Sequence, residues 1–174
     1  MPEENAPRAA ERIAWGRWLL VSLLVIVLDQ WTKFEITATL ELYQRVPVLP
    51  FFDIVRLHNP GAAFSFLADA SGWQNGFFVA VAVAVTAGLL WWLAQLPARG
   101  KAVLALGLVL LIGGAVGNLA DRLLHGYVVD FLLLYYGSWA FPAFNLADSA
   151  ITCGVALVLF DGFVLERRSA APAA

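Results

Sequence analysis

The sequence predicts an all-α membrane domain, four transmembrane helices with a small extracytoplasmic β-cradle between the first two. Three observations carry this expectation. Hydrophobic residues make up 61% of the chain and charged residues 14%, against about 25% charged in soluble proteins. Uncharged runs such as Phe77–Leu96 and Ala102–Ala120 have the roughly 20 residues that a bilayer-crossing helix needs. One stretch between the first two apolar runs, VPVLPFFDIVRLHN, instead mixes prolines with β-branched and aromatic residues suited to short strands. A length of 174 residues allows one domain.

In chain order, Met1–Ala14 mixes Pro, Ala, Glu and Arg without an apolar period and reads as a solvated tail. Residues 15–168 then form a single integral membrane domain. Its first helix is expected over about 18–36, an apolar segment preceded by Arg17 and meeting Asp29 and Lys33 in its second half. Basic residues before a short apolar run also fit a cleavable signal peptide, but no small-residue cleavage site follows Leu28 directly. The β region is expected over about 41–66, with Asn59-Pro60-Gly61 as a turn. Phe51, Phe52, Phe64, Phe66 and Trp73 would dip into the membrane interface while Arg45, Asp53 and Arg56 stay in water. The second helix is expected over 77–96, a basic turn at Pro97–Lys101, and the third helix over 102–120. Residues 130–147 are apolar but broken by Gly137 and Pro142, so they read as a re-entrant or interfacial connection. The fourth helix is expected over 145–165, followed by Glu166-Arg167-Arg168 and a tail at 169–174.

Sorting the basic residues onto alternate sides puts Arg8, Arg12, Arg17, Arg99, Lys101, Arg167 and Arg168 on one side, and Lys33, Arg45, Arg56 and Arg122 on the other. The larger set marks the cytoplasm, so both termini are expected there. Asp29, Lys33, Asn59, Asn118, Arg122, Asp130, Asn145 and Asp148 then gather near the outer face. Ionisable groups in hydrocarbon are costly and need partners or a function.

Asp130 and Asp148 are separated by a loop that leaves one helix end and returns to the next, so their carboxyls can meet. Two close carboxylates in a low-dielectric pocket share a proton, which makes an acid and a base from identical groups, as in aspartic proteases. Ion pairing of each Asp with Arg122 or Lys33 accounts for the same residues without catalysis. Asp29 and Lys33, at i and i+4, suit a helical ion pair. Asn118 and Arg122 also share a face, and Arg122 would neutralise a carboxylate or hold a lipid head group. Gly113 and Gly117 form a small-xxx-small pattern for close helix packing, whereas Gly114 has no separate role on this reading.

Other chemistries are poorly supported. His58 and His125 lack metal-ligand spacing, and Ser65 and Ser149 lack a nucleophile elbow. Cys153, the single cysteine, excludes an internal disulfide and reads as a packed thiol. Asp161 reads as solvated or paired with Arg167 or Arg168. A small proton-coupled transporter would use the same gathered charges, but it requires access from both faces, and no internal repeat is visible. A third reading is a scaffold whose polar residues only lock helices together.

Five short blocks, Asp29–Lys33 (DQWTK), Asn59–Phe64 (NPGAAF), Gly113–Arg122 (GGAVGNLADR), Val129–Phe131 (VDF) and Phe144–Asp148 (FNLAD), together resemble the motifs of the lipoprotein signal peptidases, or signal peptidase II, the membrane aspartic proteases of bacteria. The resemblance implies that Asp130 and Asp148 are the catalytic pair and that Asp29, Lys33, Asn59, Gly61, Asn118, Arg122, Asn145 and Ala147 line or brace the pocket. It further implies a substrate prolipoprotein whose Cys already carries diacylglycerol, cut just before that Cys. The expected setting is the bacterial inner membrane, with both termini cytoplasmic, the active site near the outer face, membrane lipids around a monomer, and no metal, organic cofactor or nucleic acid.

Overall fold

The structure, a computed structural model, describes residues 13–61, 73–97 and 99–165. The elements in order are α1 (Trp15–Thr39), β1 (Arg45–Leu49), β2 (Phe52–Asn59), α2 (Trp73–Gln95), α3 (Ala102–His125), β3 (Val128–Tyr136), β4 (Trp139–Ala140) and α4 (Leu146–Phe160), which ends in a π-helical turn, Asp161–Leu165. Among the described residues three helical segments, Trp73–Gln95, Ala102–His125 and Leu146–Leu165, are long and apolar enough to cross a membrane. The expected placements of Phe64 and Phe66, and of the tails up to residue 12 and from residue 166, lie outside the described residues.

Helix α3 is the centre, packed against α1, α2 and α4. Its glycines permit this. A Cβ at Gly113 would lie 3.0 Å from the Ser22 carbonyl of α1, and one at Gly107 would lie 3.0 Å from the Gly154 carbonyl of α4. Helices in a membrane gain from such close backbone contact because lipid offers no hydrophobic drive between them. Leu104, Ala105, Leu108, Val109 and Ile112 of α3 meet Leu93 and Leu96 at the end of α2 in the buried core. Val81, Val83, Val85 and Trp91 of α2 point outward.

The sheet is antiparallel in the order β1-β2-β3-β4, with Asp130 opposite Leu57 and Val128 opposite Asn59. Here the structure corrects the expectation that the cradle lies between the first two helices, and it shows residues 130–147, expected as a re-entrant or interfacial connection, to contain strands of the same sheet. Half of its strands come from between α3 and α4. The run VVDFLLLYY is buried at its start, and apolar periodicity alone does not distinguish a covered strand from a helix. Gly137, at φ +59°, turns β3 into β4 where Tyr136 pairs with Trp139.

Helix ends also differ from expectation. Helix α1 runs from residue 15 to 39 rather than 18 to 36, and α2 begins at Trp73 rather than Phe77. Helix α3 continues past residue 120 to His125, where Gly126 caps it at φ +81° with its N–H on the Arg122 carbonyl, 3.1 Å, a left-handed stop that glycine adopts without a Cβ clash. Asp121 and Arg122 are therefore helical.

Three polar assignments change as well. Asp53 does not stay in water. It is buried beside Val55 on the covered face of β2 and ion-paired to Arg45 of the neighbouring strand, whose guanidinium also lies 4.6 Å from the Tyr135 ring centre. Arg56 is half-buried, and its Nη1 donates to the Thr37 and Leu40 carbonyls at 3.1 and 2.8 Å, satisfying orphan acceptors at the end of α1. Asp161 is buried and paired with Lys101 at 2.9 Å, since the chain entering α3 passes beside the end of α4. Cys153 is exposed rather than packed inside.

Candidate active site

Two layers of polar side chains form the site beneath the sheet. The lower layer is ionic. Lys33 of α1 places its Nζ 2.7 Å from Asp29 Oδ2 and 3.1 Å from Asp121 Oδ2 of α3, and all three residues are nearly sealed from solvent. Each carboxylate also holds another element. Asp29 Oδ1 accepts the Ala147 N–H at the start of α4, 2.9 Å, and Asp121 Oδ2 accepts the Val129 N–H of β3, 2.9 Å. Gln30 Nε2 donates to Asp121 Oδ1 at 2.8 Å. These bonds fulfil the i, i+4 expectation for Asp29 and Lys33 and add Asp121 and Gln30, which were not among the expected site residues. The available signal was spacing, since Asp121 lies three residues from Asn118 and so shares its helix face.

The upper layer is built from asparagines. Lys33 Nζ donates to Asn118 Oδ1, 3.0 Å, so the Asn118 amide nitrogen turns the other way and donates to Asp148 Oδ1, 2.7 Å. Asn145 Nδ2 also approaches Asn118 Oδ1, 3.1 Å, and donates to Asp130 Oδ1, 2.9 Å. As the N-cap of α4, Asn145 accepts the Asp148 N–H on its side chain, while its own backbone N–H donates to Asp148 Oδ2, 3.2 Å. This reciprocal capping box fixes the Asp148 carboxyl at the helix entrance. Asn59, at the end of β2, donates to Asp130 Oδ2, 2.9 Å, and accepts the Gly61 N–H, 2.9 Å. Gly61 sits at φ +109° against Phe78, where a Cβ would collide with the ring.

Asp130 and Asp148 thus both face one cavity of about 620 Å³, with Asn59, Arg122, Pro142 and Phe144 also in its wall. Each of their four carboxylate oxygens accepts one N–H, and among the described residues neither forms an ion pair. The alternative in which each Asp pairs with Arg122 or Lys33 is therefore not what the geometry presents. Arg122 donates to its own helix at Asn118 O, 3.3 Å, and lies 5.2 Å from the Phe78 ring centre. Burial is the main influence on Asp130. It raises the pKa to about 7, aided by the charge of Asp148 and opposed by the bonds from Asn59 and Asn145.

Helix packing places this entrance. A Cβ at Gly117 would lie 2.7 Å from Asp29 Oδ2, and one at Gly114 would strike the Ala147 carbonyl. Gly114, without an expected role, is thus what lets the start of α4 sit on α3. His58 lies at the edge of the site. Its ring stacks on Tyr127 at 3.8 Å between centres, and burial lowers its pKa, with Arg56 and His125 adding to the effect. Among the described residues no three His, Cys, Asp or Glu side chains are grouped to hold a metal ion.

Comparison with known proteins agrees with the five motif blocks. The family model described as signal peptidase (SPase) II matches residues 21–164. A lipoprotein signal peptidase of Alteromonas mediterranea is 51% identical over 147 residues, 84% of this chain and 80% of the relative. One from Acinetobacter baumannii is 52% identical over 151 residues, 87% of this chain and 85% of the relative. A bacterial membrane enzyme whose structure was determined by the in meso method at 2.3 Å superposes with a TM-score of 0.80 at 29% identity, covering 94% of this chain and 97% of that one. With its motifs, its fold and most of its length matched in this way, the chain belongs to the signal peptidase II family.

Proposed function

We propose that Asp130 and Asp148 are the catalytic pair of an aspartic endopeptidase that removes the signal peptide from diacylglyceryl-modified prolipoproteins, cutting before the lipidated Cys. The observation that carries this reading is their joint position on one cavity, every carboxylate oxygen oriented by an N–H donor and, among the described residues, no cation paired to either. Two carboxyls so placed share a proton. The ionised one takes a proton from water as the water oxygen attacks the scissile carbonyl carbon. The protonated one hydrogen-bonds the carbonyl oxygen and stabilises the charge that develops there. Collapse of the resulting gem-diol breaks the C–N bond, and a proton passes to the departing amine, restoring the shared-proton state.

The surroundings suit a lipidated peptide. A second cavity of about 500 Å³ adjoins the first at Phe141, Phe144 and Asp148 and continues along α4 past Ser149, Thr152 and Cys153. Its largely apolar wall offers acyl chains a place while the peptide reaches the carboxyls, and this explains an exposed thiol on α4. We also infer that α1 is a fourth span. Its 25 residues extend about 37 Å at 1.5 Å per residue. Asp29 and Lys33 are turned into the bundle, while Leu20, Leu23, Leu24, Val27 and Phe34 face outward. Four spans, with the basic residues of the α2–α3 turn on the cytoplasmic side, put both termini in the cytoplasm of a bacterial inner-membrane protein and the carboxyls at its outer face. The proposed working unit is a monomer in lipid.

The test is cleavage of a diacylglyceryl-modified prolipoprotein by purified protein, beside Asp130→Asn, Asp148→Asn and an unmodified precursor. Wild type alone should cleave, and only the lipidated form. Each variant should stay folded and lose at least about 10²-fold in rate. Cleavage retained by either variant removes its Asp from the pair. Absence of cleavage by folded wild type overturns the peptidase reading and makes solute flux the next assay.

A further inference from the structure

The segment Phe141–Phe144 runs beside β3 with one extra residue, Phe141 N–H donating to Leu134 O and Phe144 facing Leu132. Phe144 spends both of its backbone groups on β3: its N–H donates to Leu132 O, 3.0 Å, and its carbonyl accepts from Leu132 N and Phe131 N, 2.8 and 3.0 Å. Ala143 falls at the extra residue of this pairing, and among the described residues neither its N–H nor its carbonyl bonds to β3 or to another partner. Ala143 also lines the cavity that holds Asp130 and Asp148. Its neighbour Pro142 brings no N–H, so the open edge is one residue wide.

We propose that Ala143 is the backbone docking point of the substrate, pairing its N–H and carbonyl with one residue of an extended peptide laid across the two carboxyls. An extended peptide is the occupant that this edge fits. An acyl chain has no group to satisfy the Ala143 N–H, whereas a peptide strand brings a donor and an acceptor at the spacing of a sheet pair. Ala143 is half-exposed on the cavity wall, so a docked peptide replaces water on its N–H and carbonyl. The pairing also sets the register of the peptide, and with it which bond lies over Asp130 and Asp148. Successive side chains of the bound peptide then alternate between its two faces.

This inference rests on the peptidase reading, and its test separates the two. Lipidated substrate peptides are N-methylated at one backbone position at a time around the cleaved bond and assayed with wild type and Ala143→Pro, with Ala143→Val retaining the N–H as a control. The unmethylated peptide must be cleaved by wild type, and its failure to be cleaved counts against the peptidase reading instead. With wild type, one methylated position should raise KM about three- to tenfold, the effect of one lost hydrogen bond. Ala143→Pro should show a raised KM for the unmethylated peptide and little further effect of that same methyl group, a non-additivity diagnostic of direct contact. A flat methylation profile, or full additivity with Ala143→Pro, overturns the proposal. Should Ala143→Pro fail to fold, hydrogen exchange at the Ala143 amide of Asp130→Asn decides. Protection on adding lipidated substrate peptide supports the pairing, and unchanged exchange overturns it.

Discussion

At the scale of single residues, the proposed chemistry turns on how Asp130 keeps a proton that an exposed aspartate releases. Burial lifts its pKa to about 7, and the Asn59 bond is the strongest opposing influence. Peptidase activity that depends on one shared proton should decline as pH rises through about 7, and the limb belongs to the pair rather than to one residue. Asn59→Ala removes a donor that favours the charged form, so its basic limb in kcat/KM should shift to higher pH. An unmoved limb would mean that Asn59 does not act on the titrating group. Linkage runs in the same direction for stability. The folded chain binds a proton at Asp130 that the unfolded chain, with an ordinary carboxylate pKa of about 4, has released. The contribution of Asp130 is therefore complete below pH ~4 and is lost as pH rises through about 7. Thermal unfolding in detergent across that window should show the decline, and Asp130→Asn should flatten it.

Among elements, α3 decides where the N-terminus of α4 can sit. Gly114 meets backbone, the Ala147 carbonyl, which cannot rotate out of the way, whereas Gly88 of α2 has open space where a Cβ would go. Gly114→Ala should therefore destabilise by about 1–3 kcal/mol through overpacking and displace Asp148, lowering cleavage as well as the unfolding temperature. Gly88→Ala should raise the unfolding temperature modestly, since glycine costs up to about 1 kcal/mol in a helix interior. Equal responses from the two would refute the packing argument. The legibility of these features in the sequence follows their locality. Asp29–Lys33 was readable because both partners lie on one helix, and Gly113 and Gly117 because their spacing states a helix face. Strand β3 was not readable, because its ladder partner β2 lies some 70 residues earlier and its apolar run fits either conformation. Asp53 was misplaced for the same reason: only the pairing of β1 with β2 brings Arg45 to a carboxylate on the covered face. The gathering of Asp130, Asp148 and the three asparagines was legible from charge scarcity and span parity, but the bonds among them depend on side-chain orientation that no spacing specifies.

For the molecule as a whole, the buried group Asp29–Lys33–Asp121 is where α1, α3, α4 and β3 are joined, and it also orients the upper layer through the Lys33 bond to Asn118. Holding the bundle together and aiming an amide are separable tasks, because charge balance governs the first and a donor at one position governs the second. Lys33→Met leaves two buried carboxylates without their cation, a change of the kind that costs about 3–5 kcal/mol. It should depress both the unfolding temperature and cleavage. Adding Asp29→Asn and Asp121→Asn removes the uncompensated charge, and an amide still has an oxygen to accept the Ala147 or Val129 N–H. The triple variant should recover most of the lost stability, as neutral replacement of buried ion pairs often does. Cleavage should not recover with it, since Asn118 Oδ1 then keeps only the 3.1 Å contact to Asn145 Nδ2, which is shared with Asp130 and Val129, to hold it away from Asp148, and an amide turned the other way would present oxygen to carboxylate. Unfolding temperature and kcat measured on the same preparations decide between these roles. Recovery of both together would show that Lys33 acts through stability alone, and recovery of neither would show that the ionic group itself, rather than its charge balance, joins the helices.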